Sequence, residues 1–242
     1  HPDDEVIACG GLMLKYHDQI DVLCVNSSGV KYKTDTLSAE ELAQIRCDDF
    51  VEVMKKTGIK KYHITKIWGI PPMINQIKKH FNEYSANFKF KEYDYIFVPH
   101  SQDNHVEHRY VGNKLLKKLL LKSGFKHNLK IVRYELWSPM PNPNYYEDIT
   151  EYTKQKTDLI NTYSSRNSHY AERILGLNKY RTLASFFENY EKYAEAYYVE
   201  SIYDYLINTT LGKIVSLTTE IRNGIERKTV NIAGLKIKIK MR

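Results

Sequence analysis

The sequence predicts an α/β protein: a Rossmann-like, doubly wound, mostly parallel sheet flanked by helices, with a helical C-terminal segment. Three observations carry that expectation. Short β-branched runs alternate with longer amphipathic stretches as far as Leu136. Two polar stretches, His1–Glu5 and Pro99–His108, fall where such folds place their βα loops. The texture then changes at a proline-rich loop, Ser138–Asn144, beyond which tyrosine-rich helical sequence runs over about 150–206.

Taken in order, Asp4 to about Tyr16 reads as a helix. Val6, Ile7, Leu12, Met13 and Leu14 supply its apolar positions, and Asp3, Asp4 and Glu5 suit its positive end. Gly10-Gly11 lowers its propensity and predicts close packing against a neighbour. Ile20–Val25 is a short strand, ended by Asn26-Ser27-Ser28-Gly29. Ser38 opens a long helix with Glu41 placed for a capping box, and Gly58 closes it. Tyr62–Ile67 is the next strand, and Pro71-Pro72 starts a helix reaching about Tyr84. Tyr95–Val98 is a strand stopped by Pro99; a helix from about Arg109 to Lys122 and a strand at Ile131–Leu136 follow. The tail, Thr229–Met241, alternates as Lys236-Ile237-Lys238-Ile239-Lys240, the pattern of an edge strand guarded by lysines.

At 242 residues, one domain over 1–242 is expected. No apolar run reaches the roughly 18 residues that span a bilayer. The formal net charge of +7 comes from scattered lysine pairs rather than a basic patch, so no nucleic-acid role is expected. Cys9, Cys24 and Cys47 lack CxxC spacing and read as free thiols in a reducing, cytoplasmic compartment.

The chemistry lies in the two polar stretches. His1 and Asp4, three apart on a turn, can point at one ion, and His108 at a helix start can supply a third ligand. Asp3 would lie beside that ion as a proton acceptor, and His105, one helical turn before His108, would face the same site. Because His1–Glu5 precedes a helix, an apolar strand of about five residues is expected upstream of His1. His100 is expected to tie down a strand end rather than bind metal.

His1-Pro2-Asp3-Asp4-Glu5 resembles the signature of the PIG-L/LmbE-like zinc-dependent N-deacetylases. The resemblance implies one Zn2+ held by His1, Asp4 and His108, Asp3 as general base, and His105 as acid or oxyanion stabiliser. Arg46-Cys47-Asp48-Asp49 is similar to an R-x-x-E motif of that family, with Asp49 replacing Glu. Arg46 is therefore a candidate for substrate contact, alongside the simpler reading of a surface ion pair. Asp148-Ile149-Thr150, Lys156, Ser165-Arg166 and Ala194-Glu195-Ala196-Tyr197 resemble further family positions, so the likeness spans about residues 1–200. Between the histidines, Val106-Glu107 stands where the family commonly has proline and aspartate. The implied activity is hydrolysis of the acetamide of an N-acetylhexosamine glycoconjugate. A two-metal phosphoesterase and an inactive sugar-binding relative are the alternatives.

Overall fold

A computed structural model describes residues 1–29, 36–164, 169–184, 192–222, 225–232 and 235–240. Its first half alternates helix and strand: α1 (Asp4–Lys15), β1 (Asp21–Cys24), α2 (Ala39–Thr57), β2 (Lys61–Ile64), α3 (Ile74–Lys79), α4 (Phe81–Asn87) and β3 (Tyr95–Pro99). Next come α5 (Val106–Arg109), a π-helical turn at Tyr110–Leu115, α6 (Leu116–Ser123) and β4 (Lys130–Tyr134). The second half holds β5 (Tyr145–Asp148), α7 (Thr153–Thr162), α8 (Tyr170–Ala184), β6 (Ala194–Ser201), α9 (Ile202–Ile214), β7 (Val215–Arg222), β8 (Ile225–Ile232) and β9 (Leu235–Lys240).

The pairing follows from the connections. Helix α2 carries the chain from β1 to β2, and α5–α6 carry it from β3 to β4; both pairs are parallel. Strand β6 then joins antiparallel between β4 and β5. The α/β class with flanking helices holds, but among the described strands only those two ladders are parallel. Strand β6 also replaces part of the expected helical run. Ala194-Glu195-Ala196 favours helix locally, yet Tyr197-Tyr198-Val199 suits a strand bordered on both sides, and tertiary pairing decides. The tail strand is β9, at the edge of an antiparallel β7–β8–β9 sheet, as its alternation predicts.

Alternation along the strands sorts the core into two layers. Ile131 of β4 is buried in one apolar cluster with Tyr84, Val98 and Leu120, while Val132 is buried in another with Val6, Phe50 and Leu159. Successive side chains of a strand point to opposite faces, so helices cover both sides of the sheet.

Local signals act as read. Ser38 Oγ accepts from Glu41 N at 3.2 Å and Glu41 Oε2 accepts from Ser38 N at 2.7 Å, completing the capping box, and Gly58 closes α2 at φ 80°. Pro71-Pro72 is cis; the helix begins only at Ile74, later than the prolines predict, and breaks again at His80. The glycine pair of α1 does mark close packing: a Cβ on Gly11 would stand 2.3 Å from Ile149 Cγ2. Behind it, Glu195 Oε1 and Oε2 accept from Gly11 N at 2.8 Å and Leu12 N at 3.0 Å. Fully buried Lys156 donates to Glu195 at 2.7 Å and to Asn178 at 3.0 Å. The Asp148-Ile149-Thr150, Lys156 and Ala194–Tyr197 segments thus clamp α1, the helix that follows His1-Pro2-Asp3. Ser165 and Arg166 lie outside the described residues.

Candidate metal centre

The two polar stretches meet. His1 enters α1 through Asp3, whose backbone is held in the left-handed region at φ 103°. A non-glycine residue there is uncommon and stores strain, a recurrent feature of functional turns. Glu5 Oε2 accepts from Asp3 N at 3.0 Å, and Tyr163 donates its hydroxyl to the other oxygen of Glu5. Burial pushes the Glu5 carboxyl up to about 7, against the hydrogen bond from Tyr163. Asp3 and Asp4 are both buried.

From the other side, β3 ends at Pro99, and the 100–105 loop leads into α5, which carries His108. The π turn after α5 brings Gly112 against Pro99; a Cβ there would stand 2.3 Å from the Pro99 carbonyl oxygen. π-helical turns recur at functional sites. Asp103 organises the loop: its Oδ1 accepts from His105 N at 2.8 Å and from His108 Nδ1 at 3.0 Å, and its Oδ2 accepts from Trp137 N at 3.1 Å. Burial would raise the Asp103 carboxyl, but the bonds from His108 and the His105 backbone hold it below its ordinary value.

Three ligand atoms converge. His1 Nδ1 lies 3.2 Å from Asp4 Oδ2 and 3.1 Å from His108 Nε2, and His108 Nε2 lies 3.0 Å from Asp4 Oδ2. The second nitrogens of both rings are already committed. His1 Nε2 meets Glu107 Oε2 at 2.8 Å, and His108 Nδ1 meets Asp103 Oδ1. A carboxylate accepts, so in the neutral rings those nitrogens carry the protons, and the facing pair, His1 Nδ1 and His108 Nε2, then presents lone pairs. Two lone pairs and a carboxylate oxygen facing one another call for a cation between them. Bonds of about 2.0–2.1 Å in a tetrahedral zinc site imply ligand atoms about 3.3 Å apart, close to this triangle. Asp4 Oδ1 is buried with no hydrogen-bond partner among the described residues. The site also stabilises positive charge by itself. Burial disfavours the His108 imidazolium, yet the Asp4 and Asp103 carboxylates raise its pKa to about 9, so a metal binding there at neutral pH displaces a proton from His108.

His105 stands at the rim. Its ring centroid is 4.5 Å from that of His108 and 4.9 Å from that of His1, and one ligand atom from each of the three histidines falls within 4.8 Å. Its Nδ1 is buried without a hydrogen-bond partner among the described residues, and burial holds the ring below its ordinary histidine value.

Residues to which the sequence reading gave no role complete the centre. Glu107 is buried and accepts from His1 Nε2 and Asn26 Nδ2, both at 2.8 Å, and from Met73 N at 2.6 Å. It thereby ties the first polar stretch to the β1 exit and to the cis-proline turn. Its place between two site histidines was the available signal. Asp103 stands five residues before His108, a spacing that marks nothing until the loop is folded. His100 behaves as expected: its Nε2 donates to Ser138 O at 2.9 Å at the end of β3. Arg46 is half-buried on α2, and none of the bonds around the triangle reaches it.

The profile of the PIG-L family, described as GlcNAc-PI de-N-acetylase, matches residues 1–118. No curated protein sequence matches the chain. Among solved structures, an N,N'-diacetylchitobiose deacetylase from Pyrococcus horikoshii superposes with a TM-score of 0.68 at 20% identity, covering 86% of this chain and 82% of that one. A 4-carboxy-2-hydroxymuconate hydratase from Pseudomonas putida reaches 0.63 at 14%, covering 82% and 92%. A deacetylase of an antimicrobial pseudoaglycone reaches 0.57 at 11%, covering 83% and 94%. At such identities the structural likenesses establish the fold, which deacetylases and a hydratase share. Residues 1–118, which hold both polar stretches, are thus similar to the PIG-L, GlcNAc-PI de-N-acetylase, family.

Proposed function

We propose that this chain is a zinc-dependent hydrolase that removes the N-acetyl group from an N-acetylhexosamine-containing substrate. The observation that carries the reading is the 3.0–3.2 Å triangle of His1 Nδ1, Asp4 Oδ2 and His108 Nε2, with both outer ring nitrogens held by carboxylates. The family match over residues 1–118 and the deacetylases among the structural neighbours support it. Two imidazoles and a carboxylate suit zinc, which when bound supplies Lewis acidity at the acetyl carbonyl and lowers the pKa of water.

The chain's own groups do the rest. Asp3, held on a rigid turn next to Asp4, takes the proton of the attacking water. His105 faces the site from the opposite loop, where it stabilises the oxyanion or hands a proton to the departing amine. The C–N bond breaks, giving acetate and a free amino sugar. Asp103 and Glu107 fix the tautomers and orientations of His108 and His1. Arg46 is assigned to substrate contact through its family motif alone. The substrate is a small amino-sugar glycoconjugate, and no described helix is long and apolar enough to cross a membrane.

Metal content by elemental analysis and acetate release from N-acetylglucosamine substrates test the reading together. One metal per chain with acetate release is expected, and His108→Ala should lose most of the metal while staying folded. Full occupancy in that variant overturns the ligand set. Two metals with phosphatase activity would instead indicate a phosphoesterase, although the described residues contain a single His/Cys/Asp/Glu group of metal-binding geometry.

A further inference from the structure

Asp3 caps the start of α1 with φ 103° and ψ −29°, a backbone that a residue with a side chain rarely adopts. Both peptide planes flanking its Cα are pinned. The Asp3 carbonyl accepts from Ile7 N at 3.0 Å as a bond of the helix, and the Asp3 amide donates to Glu5 Oε2 at 3.0 Å. Peptide groups are planar, so those two planes set φ and ψ. They thereby set the direction in which the Asp3 side chain leaves the backbone.

Glu5 is itself held. Tyr163, fully buried, donates its hydroxyl to Glu5 Oε1. Tyr163 directly follows α7, and that end of α7 is tied to α2: Asp49 Oδ2 accepts from Ser164 N at 3.0 Å and from Ser164 Oγ at 2.8 Å. Earlier in α7, Lys156 donates to Glu195, which accepts from the α1 amides. A chain of bonds thus runs from Asp49 through the end of α7 and Glu5 to the Asp3 amide. Asp4, one residue on, lies inside α1, so the helix sets its backbone. Loss of the Glu5 bond would therefore disturb Asp3 before it disturbs the ligand beside it.

We infer that Glu5, backed by Tyr163, is a positioning residue that holds the Asp3 turn so that the Asp3 carboxylate is aimed at the attacking water. A base acts only within hydrogen-bond reach of the proton it takes, and a misplacement of about 1 Å can cost roughly 100-fold in rate. Glu5 exchanges no proton with the substrate; it accepts a backbone N–H and leaves the chemistry to Asp3. An acidic residue in the first turn also suits the helix dipole, but that role needs only the charge and makes no use of an oxygen on the Asp3 amide. The two roles separate when the charge is removed and the oxygen kept. The inference rests on the deacetylase reading for the role of Asp3.

Glu5→Met keeps the length of the side chain and removes the acceptor. Glu5→Gln keeps an oxygen for the Asp3 amide and turns its NH2 to the Tyr163 hydroxyl, which accepts as well as donates. In the metal-loaded enzyme, Glu5→Met should lower kcat for acetate release roughly 10–100-fold, with KM within about twofold and metal content by elemental analysis unchanged. Glu5→Gln should recover to within about threefold of wild type. Hydrogen exchange of the Asp3 backbone amide, followed by NMR, reads the turn without activity: it should quicken about tenfold or more in Glu5→Met and stay slow in Glu5→Gln. Tyr163→Phe deletes one oxygen and should lower kcat in the same sense by a smaller factor. Wild-type kcat in Glu5→Met, or in Tyr163→Phe where Glu5→Met does not fold, overturns the positioning. So do loss of metal together with kcat, unchanged Asp3 exchange in Glu5→Met, or a Glu5→Gln variant as slow as Glu5→Met. If the wild type releases no acetate from any N-acetylhexosamine while Asp3 exchange responds as expected, Glu5 still anchors the turn and the deacetylase reading is the one that fails.

Discussion

Glu107 makes the sharpest test of how the centre is held. Three donors, two of them buried, end on its carboxylate: His1 Nε2 and Asn26 Nδ2 on Oε2, and Met73 N on Oε1. In Glu107→Gln the side chain keeps its shape but has one oxygen. Whichever way the amide turns, its NH2 faces at least one donor. The lower-cost orientation keeps the oxygen on His1 and Asn26 and sets the amide nitrogen against Met73 N. One buried donor is then unsatisfied, at about 1–3 kcal/mol of folding stability. In Glu107→Ala all three donors lose their acceptor, and the cost rises to roughly 3 kcal/mol or more, limited by water entering the space. Metal affinity should fall about 10–100-fold in Glu107→Ala, because His1 loses the acceptor that fixes its tautomer, and less in Glu107→Gln, whose amide oxygen stays on His1. Urea denaturation of the metal-free proteins gives the first quantity, and competition with a chromogenic chelator gives the second. If Glu107→Ala unfolds at the wild-type urea concentration and binds metal within about twofold of wild type, Glu107 does not position His1, and the tautomer argument for the triangle fails with it.

Asp3→Asn and His105→Ala should each retain the metal by elemental analysis and lose roughly 10²–10⁴-fold in turnover, the scale of one acid–base group. Loss of metal from His105→Ala would make His105 a ligand, as its 4.8 Å grouping with His1 and His108 permits. Gly11→Ala should cost about 1–3 kcal/mol in a denaturation experiment, since its new methyl would need Ile149 and the α7 side of the clamp to move. The β2–α4 contact should weaken in acid. Burial would raise the Glu83 carboxyl, but bonds from His80, His63 and Thr65 hold it below its ordinary value of 4.5. A depressed carboxylate contributes stability above 4.5 that is lost as pH falls through the folded value. The urea midpoint of wild type should therefore converge on that of Glu83→Gln below pH 4.5, and a constant gap between them down to pH 2 would exclude the linkage.

Local chemistry made much of this protein legible before folding. The capping box at Ser38, the stop at Gly58 and the strands β1 to β4 depend on neighbours within a few residues, and sequence records those directly. The residue types of the candidate centre were legible for a related reason. Histidine and aspartate packed into stretches too short for a core have few structural uses, and the geometry brings His1, Asp4 and His108 together. What holds them was decided only in three dimensions. Glu195 reaches the amides of α1 across 184 residues, Glu107 joins His1 to Met73, and Asp103 reaches Trp137. Strand β6 exists because β4 and β5 flank it, against the helical bias of its first residues. A buried carboxylate is tolerable only where donors arrive from elsewhere in the chain, and no local pattern states where those donors will be.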